Sequence, residues 1–257
     1  MGRIAKAGTR LSFGARKIVG AFLLLASCAA RQGAGVRETV SQSVAVADGQ
    51  RWLDRIRAER TGPPWAAGIA ASLGGARAGP TLEGRGGMAV APGRSVRIIL
   101  LMAGGPTLLD VWVASDRWRV AVPVRGRVER GSGDAPPDLP VSFLRRWFIR
   151  PFEGTLASAS VEGEDRVLRV RDAEATLEIR LGRCDGGELT RASRRVRGRV
   201  VEQIEECLAH GRPKPGNWAR YADARTGLVA RVTFESVSTG APEPSAFADP
   251  EAGGAAL

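Results

Sequence analysis

Three cysteines, one histidine and a run of glutamates are the residues of this 257-residue chain whose types could carry chemistry. A cysteine or serine nucleophile needs a base within hydrogen-bond reach. The sole histidine, His210, stands in Ala209-His-Gly-Arg-Pro, a loop composition that reads as an exposed structural residue. Zinc needs three or four nitrogen, sulfur or oxygen ligands, and neither the cysteine nor the histidine count suits it. Glu202, Glu205 and Glu206 offer a carboxylate pair of the kind glycoside hydrolysis uses. In an alternating strand Glu202 and Glu206 share a face, and the expectation is that this face is solvated. Neither a phosphate-cradling G-x-x-x-x-G-K-[ST] nor a dinucleotide-binding G-x-G-x-x-G occurs. The chain is therefore not expected to be an enzyme or to hold a cofactor or metal. Cys184 and Cys207 end neighbouring strand-like segments, and a disulfide between them is the favoured reading. Such a bridge closes a loop of about 24 residues and stabilises by roughly 3 kcal/mol in the chain-entropy picture. The alternative is two separate buried thiols.

The charge is the other feature that could imply a partner. There are 38 basic and 27 acidic residues, a formal +11. Nearly all the cations are arginines scattered along the chain; one cluster stands out, at Arg191, Arg194, Arg195, Arg197 and Arg199. Part of the excess belongs to the first thirty residues. Arg3, Lys6, Arg10, Arg16 and Lys17 precede the nine uncharged residues Ile18 to Ala26. A membrane-crossing helix needs about 20 apolar residues, so this stretch does not span a bilayer. A basic start, a short apolar run and small residues after it make a secretory signal peptide. The cluster's default reading is a solvated strand face, with anionic head groups as the more plausible partner and nucleic acid excluded for an exported chain.

Leu25-Ala26-Ser27-Cys28 resembles the bacterial lipobox, an apolar residue, two small residues and a cysteine. That resemblance implies a signal peptide over 1–27, diacylglycerol on the Cys28 sulfur, and an acylated N-terminus after cleavage. An ordinary signal peptide with an incidental Cys28 is the alternative. Losing five cations leaves 33 basic against 27 acidic residues, a formal +6. Ala29 in place of the Asp of the enterobacterial retention signal implies the outer membrane, facing the periplasm. Residues 28–40, with Gly33 and Gly35, read as a flexible tether.

The elements that would position these groups follow from periodicity. Ser41 to Arg60 looks helical, with Asp48 as a cap and Gly62-Pro63-Pro64 as the stop. A second short helix is expected over Trp65 to Leu73. Period-two patterning then gives strands over 82–91, 94–102, 107–114 and 117–125. A proline-rich break spans Gly131 to Pro140, and Val141 to Phe152 carries a helix-like stripe of Phe143, Leu144, Trp147 and Phe148. Strands resume over 155–161, 166–171, 175–182, 188–197, 199–207, 218–221 and 228–237, and 241–257 reads as a disordered tail. The class is mainly β with α, an antiparallel sheet of about ten or eleven strands. Its apolar face must be covered, and the two helical regions are the available cover.

The order of these elements, with Val232-Thr-Phe234 and Phe247-Ala-Asp-Pro250 closing the chain, resembles the lipoprotein-localisation family of LolA and LolB. The likeness covers about residues 45–250 and places a single β-domain over 41–240. It implies an unclosed β-barrel wrapped around helices, with an apolar cavity for acyl chains. LolB is itself an outer-membrane lipoprotein, and its hairpin loop with a protruding apolar residue corresponds loosely to Ala103–Thr107. Here only Met102 and Leu108, at the margins, are apolar and large. The resemblance implies a membrane-anchored periplasmic lipoprotein that binds lipid or acyl chains, with lipids or lipoproteins as cargo. Burial of each CH₂ would contribute about 0.8 kcal/mol. Leu100, Trp112, Trp118, Phe148, Ile179 and Phe234 are the residues expected to line the cavity. The alternative is a non-catalytic structural or assembly lipoprotein of the outer membrane, with the same fold and a filled cavity.

Overall fold

The computed structural model describes residues 41–75, 79–136, 139–238, 240 and 242–250. The signal peptide, Cys28, the tether up to residue 40 and the last residues of the tail, 251–257, lie outside them. Fourteen strands and two short helical segments follow in chain order. β1 (Ser41–Ser43) leads into α1 (Val46–Arg60), and then β2 (Trp65–Gly75), β3 (Gly79–Ala91), β4 (Ser95–Leu101), β5 (Thr107–Ala114), β6 (Arg117–Val122) and β7 (Arg127–Ser132) run as a meander. The helix α2 (Val141–Leu144) continues as a π-helical turn over Arg145–Ile149. The remaining strands are β8 (Thr155–Glu162), β9 (Asp165–Arg171), β10 (Thr176–Cys184), β11 (Gly187–Val196), β12 (Arg199–Leu208), β13 (Trp218–Asp223) and β14 (Val229–Val237).

All fourteen pair antiparallel in one sheet, ordered β1-β8-β9-β10-β11-β12-β13-β14-β2-β3-β4-β5-β6-β7. Its ends, β1 and β7, do not pair with each other, so the sheet curls without closing. The count exceeds the ten or eleven expected because β1, β2 and β7 were not read as strands. β1 and β7 are short edge strands rich in polar and charged residues, and such strands carry no apolar alternation. β2 was read as a helix, and the register shows why. Trp65, Ile69 and Leu73 recur every four residues, a spacing that falls on one face of a helix and of a strand alike. Alanine between them favours helix locally, but pairing with β14 on one side and β3 on the other overrides that preference.

The curl gives the sheet a concave face with two apolar clusters. One, built on β2–β6 and β14, holds Ile69, Val90, Leu100, Val111 and Phe234 and receives Leu144 of α2. The other, on β8–β12, holds Leu168, Val170 and Ile179 under Leu53 and Ile56 of α1. Asp48 does not cap α1; Ala45 stands at its start. Gly49 is where α1 comes closest to β8, for a side chain there would collide with Ala159 and Leu156. Cys184 and Cys207 form a disulfide that ties the end of β10 to β12 past the intervening β11. On the convex face, residues 242–250 pack against the sheet. Pro244–Phe247 makes a 3₁₀ turn, the Trp112 indole Nε1–H donates to the Phe247 carbonyl at 3.0 Å, and Arg117 faces Asp249 at 3.8 Å.

Candidate binding cavity

Register decides which side chains look into the hollow. Ile98 pairs with Val111 and Leu100 with Leu109 across β4 and β5. Phe234 pairs with Ile69 and Val232 with Ala71 across β14 and β2. Phe143, Leu144, Trp147 and Phe148 roof this wall, leaving an apolar cavity of about 110 Å³. Trp65 meets Phe148 and Phe234 edge-on, with ring centroids 6.5 and 6.2 Å apart. Such contacts fix the rings as well as fill space.

Of the six residues expected to line a cavity, Leu100, Phe148 and Phe234 do so. Trp112 does not. Leu109, Val111 and Val113 face in, and Trp112 shares the other side of β5 with Asp110, on the convex face beneath Phe247. Trp118 is on the concave side, opposite Val113, but stacks at the far end of the sheet against Gly131. Ile179 is buried under α1, in the second cluster.

A buried polar system stands against the same wall, and the sequence reading missed it. Glu202 and Glu206 do share a face, but it is the concave one, where they are 6% and 2% exposed. Arg60, the last residue of α1, forms an ion pair with Glu206, and both side chains are buried. The Trp147 indole Nε1–H donates to the other Glu206 oxygen at 3.0 Å. The Arg60 guanidinium also lies over the rings of Trp147 and Phe152, 4.4 and 4.8 Å from their centroids. Burial lowers the Arg60 pKa to about 9, against the raising effect of Glu188 and Glu59, so the group is cationic at neutral pH. One side chain thus ties the end of α1, the π turn and β12 together.

Glu202 is held by two cations, Arg146 from the π turn and Arg225 from the β13–β14 turn. Arg225 also donates to Asp223 at 2.7 Å. Burial works against ionisation of Asp223, but the Arg225 side chain and the backbone N–H groups of Arg225 and Thr226 outweigh it and hold the carboxyl below its usual range. Tyr221 stacks on Phe143 at 3.9 Å, and burial, then the charges of Glu202 and Asp223, push its phenol pKa up. It therefore stays neutral. His210 takes no part, its side chain being 92% exposed. The geometry offers an apolar void beside fixed charges, an arrangement suited to holding an amphiphilic molecule.

No family model matches the chain, and no curated protein matches it. Several solved structures share its architecture, and two illustrate the likeness. A LolA superfamily protein from Nitrosomonas europaea superposes with a TM-score of 0.51 at 11% identity, over 78% of this chain and 97% of that one. A putative outer membrane lipoprotein-sorting protein domain from Vibrio parahaemolyticus gives 0.51 at 12% identity, over 79% and 97%. The fold is LolA-like. Within this chain, α2 and its π turn form the roof over the 110 Å³ cavity.

Proposed function

We propose that this chain is a periplasmic lipoprotein, tethered to the outer membrane through acylated Cys28, that binds lipid or acyl chains in the apolar cavity. The observation that carries the reading is the cavity itself, an aliphatic and aromatic void on the concave side of a LolA-like sheet. Its size sets a condition. Sites for drug-sized ligands measure about 300–1,000 Å³, and a void of about 150 Å³ takes a benzene ring. At about 110 Å³ the cavity accepts part of a chain, and a whole one requires α2 and the π turn to move outward. The roof's π turn is itself a rare geometry that recurs at functional sites.

The test is to fill the void. Ala71 lines it from β2. Ala71→Phe is expected to leave the melting temperature unchanged or raised and to weaken hexadecanoic acid binding at least tenfold by titration calorimetry. Unaltered binding in a folded variant would sink the reading. The small volume also favours a second reading, a structural or assembly lipoprotein whose hollow stays filled; that reading expects no acyl ligand to bind either protein.

A further inference from the structure

The concave face carries one cation that the polar system described above does not use. On β11, Thr190, Ala192 and Arg194 point inward, opposite Glu206, Ile204 and Glu202 of β12. Leu177 flanks Arg194 on β10. The expected solvated arginine face is thus broken at this position, for the Arg194 side chain is only 13% exposed. Its Nε–H is buried and donates to no acceptor among the described residues. Glu202, the carboxylate across the ladder, is already engaged by Arg146 and Arg225. Arg194 has instead a distant ion pair at 3.9 Å with Glu174, which is 82% exposed. A buried donor without an acceptor is costly, and a charged one more so.

Arg194 borders a second cavity of about 120 Å³, together with Arg146 and Arg150. The carboxylates on this wall are occupied. Asp172 accepts the backbone N–H groups of Glu174 and Ala175, Glu153 faces Arg150 at 3.9 Å, and Glu202 is bound as described. Phe143, Trp147, Ile204 and Tyr221 line both cavities, so the apolar void adjoins one edged with guanidinium groups and their carboxylate neighbours.

We propose that this second cavity is the head-group subsite for an anionic amphiphile, whose phosphate or carboxylate is held by Arg194, with the exposed Arg150 exchanging its 3.9 Å contact with Glu153 for the ligand, while the chain occupies the adjoining apolar void. The proposal rests on the acyl-chain reading of that void. Guanidinium suits the task, since its planar fork matches both anions in bidentate fashion. Arg146, committed to Glu202, forms the side of the subsite rather than its grip.

The test uses the full chain bearing Cys28→Ala, so that no acyl anchor competes, with dodecyl phosphate, dodecanol and inorganic phosphate as probes. Dodecyl phosphate is expected to bind roughly tenfold or more tightly than dodecanol, as charge-assisted hydrogen bonds imply. Arg194→Gln should erase that preference by weakening dodecyl phosphate alone, and Arg194→Lys should restore part of it. Arg150→Gln, at a position 58% exposed where folding is not at stake, should reduce the preference severalfold. Equal binding of the two amphiphiles, or a preference untouched in both glutamine variants, would overturn the subsite and leave the acyl-chain reading standing. Binding of neither amphiphile would overturn that reading and the subsite with it. Inorganic phosphate should compete weakly and only against dodecyl phosphate. Phosphate that binds as tightly as dodecyl phosphate would make a free anion the ligand and overturn the amphiphile.

Discussion

Arg60 shows how much one side chain can hold in place. Its partner Glu206 sits among Ile204, Leu208 and the cavity wall, so removing the cation leaves a carboxylate buried and unpaired. Arg60→Met is therefore expected to cost about 3–5 kcal/mol of unfolding free energy, as breaking a buried pair does. Arg60→Met combined with Glu206→Leu should recover most of the loss, because two apolar groups of similar size replace the pair. Denaturant unfolding of both variants checks this, and a double variant as unstable as the single one would contradict it. The pair was not legible in the sequence. β12 places Glu202, Ile204, Glu206 and Leu208 on one side, polar and apolar alternately, so its pattern does not mark which side is wet. The cations that make burial tolerable come from α1, the π turn and the β13–β14 turn, far along the chain. Arg194 was hidden in the same way, inside a run of arginines of which the others face outward.

At the scale of elements, strands with one dry and one charged face were readable almost to the residue. β5, β9 and β10 alternate cleanly enough that their limits moved by one or two positions at most. Elements failed where two periods coincide, as in β2, or where an edge strand has nothing to bury, as in β1 and β7. The disulfide was reached from cysteine count and strand placement, and it lies where that argument put it. The helix α1 was foreseen, but its intimacy with β8 was not, since only the packed structure shows that Gly49 faces Ala159. Gly49→Val should destabilise by about 1–3 kcal/mol through overpacking, with the far-ultraviolet spectrum preserved. An unchanged melting temperature would mean that α1 does not seat on β8 as described.

At the largest scale, the described residues form an open antiparallel sheet that curls around a short helical roof, with an apolar void and a second void edged by arginines and carboxylates on the concave side. The cations in excess divide between the first thirty residues and the strand faces, where arginines pair with neighbouring carboxylates, as Arg169 and Arg180 do with Glu178. The architecture was legible because order and alternation of elements survive where identity does not, as the 11% and 12% identities of the superposed structures show. The lining of the void was only half legible, because Trp112 faces the convex side and Trp118 and Ile179 lie on the concave side away from the void. Acylation at Cys28 and a lipid in the hollow are the two parts of the proposed function. Native mass spectrometry of the protein purified from membranes tests both parts at once. The expected result is a covalent mass for residues 28–257 plus acyl groups, together with a non-covalent acyl lipid lost on activation. A mass without acylation at Cys28, or a protein that releases no lipid under activation and organic extraction, would contradict it.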